Sequence, residues 1–442
     1  MSDGRWWAGA AREAVQGVAG GLLGGVLASV FVVTVTSLIK RSLEWVMRQD
    51  VWVMVPAPFV GIAVAVLVLN LVAHGQAVQR VPSDSAPPRR FSAWLAFPAS
   101  AVRADLTADV VNNAGCEENF PWRLAPIRAV AIFATVGLGA PMGTESPAAH
   151  LGVAAGSAFE RFGGRWWGVA RCAGVGGGAA GVAALMGLPL VGLAFMLELG
   201  RRNRAPLSLS RVLAASSGAL AGWGFNMVLD LSLIQLIVPA IAPEGLARAL
   251  TTATLVGVLS GTLGSVTGSA IYKARSWSAD PLVKLLAGGG LLVVCIFAIG
   301  FLATPAAAIG PGASAVSWAG ASSASALTLL AVVALRATAT TAAVMAGGCG
   351  GLFVPLLSIG DLAGRALAPG LGVSSDLAAA AGAAGSIAGG YRLPLTAIAM
   401  VLTVGGPVVA RLTCVAAVGV ATASGVVAAY LLDRYVLNRK FV

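Results

Sequence analysis

Two segments of this chain, 355 − 147 = 208 positions apart, carry the same proline–glycine–glycine spacing. The first runs from Gly143 through Pro147 to Gly152 and Gly156, the second from Gly351 through Pro355 to Gly360 and Gly364. Proline is tolerated in the first turn of a helix, where the N–H it lacks would have no partner. Each segment therefore predicts a helix that begins at its proline. Only the 12 residues of 148–159 precede Glu160 and Arg161, and the segment after Pro355 meets Pro369 after a similar length. A helix of that length covers about 18 Å, short of a hydrocarbon core of about 30 Å. Paired interrupted helices in two halves of a chain predict a transport site near the bilayer midplane.

Such helices presuppose a membrane chain. Of 442 residues, 57% are hydrophobic and 11% charged, against about 25% charged in soluble domains. The 57 glycines fit helices that approach closely through small residues. A net charge of +11 is scattered through apolar sequence. It reads as span flanks, headgroup contacts and a positive field that favours anions, not as a nucleic-acid surface. His74 and His150 are the two histidines, and the five cysteines show no CxxC spacing. With no HExxH or GxSxG either, neither a metal site, a cofactor nor an enzyme is expected.

Residues 1–16, with Arg5, Arg12, Trp6 and Trp7, predict an interfacial helix. Spans are expected over 18–39 and 51–73, then near 246–271, 281–302 and 324–345, with further apolar blocks at 127–242 and 349–432. Residues 75–124 carry Pro82, Pro87, Pro88, Arg89 and Arg90 and, among their acids, Asp105, Asp109, Glu117 and Glu118. They predict a polar connection outside the hydrocarbon, with room for a short helix. The repeat goes further. Gly187-Leu188-Pro189-Leu190 parallels Arg392-Leu393-Pro394-Leu395, at an offset of 394 − 189 = 205, and Gly/Ala-rich stretches precede both. Two proline-anchored matches at nearly one offset predict duplicated halves, about 18–242 and 246–432, within one domain of 1–442. Whether the halves are parallel or inverted is not set by these residues.

A helix N-terminus offers free N–H groups and a positive dipole end to an anion. Ser146 falls at the expected N-cap, with Glu145 just ahead of it. The Glu145 carboxylate can occupy the place that a diffusible anion would take. Protonation or an outward swing would vacate it, so Glu145 is the expected gate. Leu352 and Phe353 hold the same relation to Pro355, and their N–H groups are expected to meet the anion from the other side. Phe353 also reads as ordinary core.

Gly143-x-Glu145-x-Pro147 and Gly351-x-Phe353-x-Pro355, in this order, resemble the CLC family of chloride channels and anion/proton antiporters. Pro126-Ile127-Arg128, Pro189-Leu190, Leu197-Glu198 and Arg392-Leu393-Pro394-Leu395-Thr396 extend the resemblance over nearly all the apolar sequence. It implies an all-α polytopic membrane protein of about 18 helices, many incomplete, in two inverted repeats. It implies a multi-pass protein of the cell's inner membrane, working as a homodimer with one pore per subunit and no cytoplasmic regulatory domain. It makes Glu145 the gating glutamate. The backbone at Thr144, Ser146, Leu352 and Phe353 becomes the anion donor set. A tyrosine meeting the central anion matches Tyr435 best, with Tyr430 as the alternative.

Three departures stand out. The family's inner glycine–proline motif has its nearest match at Ala73-His74-Gly75, without the proline, so His74 is either a site residue or a polar helix end. Thr144 replaces a basic residue. Leu199 follows Glu198 where many antiporters of the family carry a second, proton-carrying glutamate. Leucine carries no proton, which leaves gated chloride passage and proton-coupled antiport of chloride or fluoride both open. A cation-coupled transporter would need clustered acids, and Asp230, Glu198 and Asp361 do not cluster in the sequence.

Overall fold

The computed structural model describes residues 3–78, 105–159, 167–229, 241, 245–404 and 412–436, with side chains from 7 onward except 73–78 and 403–404. The first half contains α1 (Asp3–Met47), α2 (Val51–Met54), α3 (Ala57–Val78), α4 (Leu106–Asn112) and α5 (Ala125–Gly137). It continues with α6 (Glu145–Ser157), α7 (Trp167–Met186), α8 (Pro189–Arg202) and α9 (Leu209–Leu229). The second half contains α10 (Leu246–Ser276), α11 (Pro281–Leu302), α12 (Pro305–Ala308), α13 (Ala313–Ala321) and α14 (Ala326–Met345). It ends with α15 (Phe353–Leu371), α16 (Ser375–Tyr391), α17 (Pro394–Val404) and α18 (Leu412–Tyr435). Among the described residues no strand forms, and 8 helices are long and apolar enough to cross a membrane.

The halves pack by one plan. In the first, α1 lies against α7, α9 and α6, and in the second α10 lies against α16, α18 and α15. Small residues allow this. A Cβ on Gly176 would strike the backbone of Gly21, and one on Gly218 would strike Gly176. In the second half a Cβ on Gly261 would strike Gly425, and one on Gly389 would strike Gly261. The glycines of the opening motif have the same task. Gly152 and Gly156 lie against the carbonyls of Gly177 and Ala173 on α7, as Gly360 and Gly364 lie against those of Gly382 and Ala378 on α16. With no difference in apolarity between lipid and helix to drive association, close backbone approach of this kind is what holds membrane helices together.

At the centre, Gly143 and Gly351 form an isolated antiparallel bridge. Each donates its N–H to the other's carbonyl at 2.7 Å. The two residues are 351 − 143 = 208 apart, the offset of the prolines. Reciprocal bonds between matched residues are what a two-fold relation between halves produces, and the antiparallel sense fits inverted halves.

Three expectations need correction. Over the described residues from Asp3, the N-terminal segment is not a separate interfacial helix, because α1 runs unbroken to Met47 past Lys40 and Arg41. Nothing in that stretch breaks a helix, and long basic side chains carry their charge away from the apolar face on flexible stems. The polar stretch does not stand clear of the bundle over 105–124. Leu106, Val110, Phe120 and Leu124 are buried there, and α4 packs on α6. Two of its acids, Asp109 and Glu117, are held in buried ion pairs, which composition cannot distinguish from solvated charge. Finally, α15 runs to Leu371 through Pro369. Pro369 stands in the last turn, with Gly372 in the left-handed conformation as C-cap, so the second broken helix is 19 residues long against 13 for α6.

Candidate functional site

The two broken helices begin in the same way. The N-cap of α6 is Thr144 and that of α15 is Leu352, so Pro147 and Pro355 are both the third helical residue. Ser146 is therefore inside the first turn and is not the cap. Proline at this position removes an N–H that has no intrahelical acceptor, and the other N–H groups of the turn stay free to meet a ligand. The bridge between Gly143 and Gly351 brings both first turns to one place.

Glu145 lies in that place and is 2% exposed. Backbone N–H groups of Glu145, Thr144 and Val354 face its carboxylate, so both copies contribute. Among the described residues its Oε2 has no hydrogen-bond partner. A Cβ on Gly143 would strike Oε2 and come within 3.4 Å of Pro355 Cδ, so glycine at 143 leaves the space in which the carboxylate sits. Phe353, the counterpart of Glu145, is 1% exposed. Its ring centroid is 6.0 Å from that of Phe195 on α8 and 5.1 Å from that of Tyr391 at the end of α16.

Tyr391 is the site residue that the sequence did not point to. It is 8% exposed. Its hydroxyl lies 3.1 Å from Ser146 Oγ and accepts from the Leu352 N–H at 3.3 Å. One phenol thus joins the first turns of both copies. Tyr435 does not reach the site. It is 71% exposed, with Arg434 over its ring, and Tyr430 is 41% exposed. α18 carries both tyrosines on its outward surface, so neither phenol can turn to the centre. A signal for Tyr391 was present. It precedes Pro394 by three positions, as the apolar Met186 precedes Pro189, and a hydroxyl replaces a thioether there. His74 lies on α3, and its side chain is outside the described residues.

The helix that carries Glu145 is fastened farther along its length. His150 and Arg128 are 0% and 1% exposed. Arg128 donates to His150 Nε2 at 2.8 Å and pairs with Asp109 at 2.7 Å. Arginine can only donate, so Nε2 accepts and the imidazole is neutral, with Nδ1–H turned to the Leu106 carbonyl at 3.4 Å. Farther along α6, Ser157 donates to the Glu117 carbonyl at 2.6 Å, and the Glu117 carboxylate pairs with Arg211 at 2.6 Å.

Glu198 holds the opposite junction of the halves. Its carboxylate accepts from the N–H groups of Leu395 and Thr396, each at 2.8 Å, and from the Thr396 hydroxyl at 2.6 Å. A first-half acid thereby caps the first turn of α17. Leu199, beside it, is 1% exposed. Among the described residues no group of histidines, cysteines and acids is arranged to hold a metal ion.

A family model described as voltage-gated chloride channel matches residues 91–426. The chain belongs to this family. Among curated relatives, the H(+)/Cl(−) exchange transporter ClcA of Yersinia pestis bv. Antiqua is 26% identical over 299 residues. That match covers 64% of this chain and 60% of the relative. ClcA of Salmonella typhi is 26% identical over 296 residues, with 61% of that relative covered. Three solved structures share the family fold. A slow cyanobacterial Cl−/H+ antiporter aligns over 97% of this chain and 99% of its own, with a TM-score of 0.64 and 22% identity. A CLC-type fluoride/proton antiporter aligns over 93% and 94%, at 0.65 and 19%. A eukaryotic CLC transporter aligns over 95% and 72%, at 0.65 and 17%. The chain is thus an all-helical, multi-pass membrane protein of CLC-like fold.

Proposed function

We propose that this protein moves a small inorganic anion, chloride by default, along a path between its halves that Glu145 opens and closes. The observation that carries this is the position of one carboxylate among N–H groups of both broken helices. A negative oxygen already held there marks where a diffusible anion is held once Glu145 leaves. The Leu352 N–H and the hydroxyls of Ser146 and Tyr391 line the next stretch. Phe353 and Phe195 close one side without competing for the ion. Chloride is weakly hydrated and needs few donors, and fluoride is the alternative cargo, in keeping with the fluoride/proton antiporter among its structural neighbours.

Proton exchange follows from the same carboxylate. A protonated Glu145 gives up its claim on the N–H groups, so each release of the site takes up a proton. Leu199 favours a second reading, gated passage without obligatory exchange. A buried leucine gives an inner proton route no titratable group at that position. We further propose a homodimer with one path per subunit in the inner membrane of a bacterium.

The test is flux from proteoliposomes loaded with chloride, nitrate or fluoride, with pH recorded together. Anion efflux accompanied by uphill proton movement is the expected result. Efflux without proton movement establishes the second reading, and no efflux of any of these ions rejects both.

A further inference from the structure

The repeat reaches a pair of buried arginines. Arg128 and Arg336 are 336 − 128 = 208 apart, and each stands 17 residues ahead of its copy's key residue, Glu145 or Phe353. Both are 1% exposed. Their charges are met differently. Arg128 has the Asp109 carboxylate at 2.7 Å. Among the described residues Arg336 donates only to backbone, to the Ala307 carbonyl at 2.6 Å and the Gly310 carbonyl at 3.0 Å. Its Nε has no partner, and among the described residues no acid faces it. Carbonyl oxygens satisfy donors but leave the net charge uncancelled, and an uncancelled charge buried in protein within a bilayer is costly.

Its surroundings lead to the path. The Gly310 N–H donates to the Gly139 carbonyl at 2.8 Å, in the loop that rises to Gly143 and Glu145. One turn along α14, Thr340 donates to the Pro141 carbonyl of the same loop at 3.1 Å. On the other side, Arg336 and Ser358 both border Gly312. Ser358 lies on α15 five residues after Phe353, about 8 Å along the axis. Arg336 thus sits beneath the gate loop and beside the helix whose N-terminus faces the path.

Resting on the transport reading above, we propose that whichever negative charge occupies the path, the Glu145 carboxylate or the transported anion, is the counter-charge of Arg336. Arg336 touches neither. It acts as a fixed charge that sets how tightly the path holds an anion. A unit charge about 10 Å away, at an effective dielectric constant of about 20, changes affinity by roughly tenfold.

The test is calorimetric titration of the purified protein with chloride in the Glu145→Gln background, alongside thermal unfolding over a series of chloride concentrations. Arg336→Gln is expected to weaken chloride binding about tenfold and to flatten the rise of Tm with chloride. Arg336→Lys, which keeps the charge, is expected to retain most of both. Ser358→Asp supplies a carboxylate next to the guanidinium and is expected to weaken binding as Arg336→Gln does, whereas Ser358→Asn is not. The aspartate variant carries the test if Arg336→Gln fails to fold. Unchanged affinity in Ser358→Asp, or equal loss in Ser358→Asn, overturns the proposal. A parent that binds none of chloride, nitrate or fluoride removes the transport reading and this proposal together, whereas loss of the Arg336 effect alone leaves transport standing.

Discussion

At the start of its first turn the first broken helix carries a carboxylate, and the second, 208 residues on, carries the Phe353 ring. Five residues farther, His150 on one copy stands against Ser358 on the other. Beneath them, Arg128 is paired with an acid and Arg336 is not. The backbones nevertheless agree: the same cap position, the same proline, the same pair of glycines against the next helix. Duplication thus preserved the parts that present N–H groups and let the side chains diverge. On the proposed reading, one copy is the movable element, with Arg128 beneath it neutralised locally. The other became a fixed wall with a positive charge behind it.

The largest effect should come from removing the difference at its centre. Glu145→Gln keeps the shape and removes the titratable oxygen. Proton movement in the liposome assay should fall to background while anion efflux continues, and persistent coupling would mean that another group carries the proton. The matched glycines give a sharper comparison. Gly143→Ala drives a methyl into the seat of the Glu145 carboxylate, so efflux should rise and lose most of its dependence on pH. Gly351→Ala meets Gly143 O and Ser146 N at 3.2 Å and Pro147 Cδ at 3.3 Å, and leaves the Glu145 carboxylate in its seat. It should keep coupling and cost about 1–3 kcal/mol of stability from overpacking, seen as a lower Tm. If the two alanines behave alike, the halves are not functionally divided.

Smaller effects should follow from the groups around the pair. Tyr391→Phe frees the Leu352 N–H and Ser146, and should change chloride affinity severalfold in the same titration. Tyr435→Phe should leave it unaltered, and the reverse pattern would restore Tyr435 to the site. Glu198→Ala removes the cap of α17 and should cost about 1–2 kcal/mol in thermal unfolding with coupling intact. Loss of coupling there would instead make Glu198 a proton carrier.

Much of the division between copies is legible in the amino-acid sequence itself. Pro147 and Pro355, each followed by its glycines, mark two helices that begin in the same way, and Glu145 opposite Phe353 marks the asymmetry. These features are legible because a missing N–H and a missing Cβ act locally. Tyr391 was not legible in this way. Its partners are 245 and 39 residues distant in sequence, and only the fold brings them together. The acids of 105–124 misled for the opposite reason. A carboxylate that reads as solvent-seeking is equally at home inside once an arginine such as Arg128 or Arg211 meets it. The exposed face of α18 defeated the choice of Tyr435, because a helix with apolar residues all round does not announce which side it buries.

The bridge between Gly143 and Gly351 has a consequence for how the proposed path would measure an ion. Its two bonds lie two residues ahead of Glu145 on one side and of Phe353 on the other. The spacing of the opposing rows of N–H groups is therefore set by main chain, as the jaws of a caliper are set by its pivot. Side chains decide when the jaws are occupied. Their gap belongs to two residues that have no side chain to mutate away.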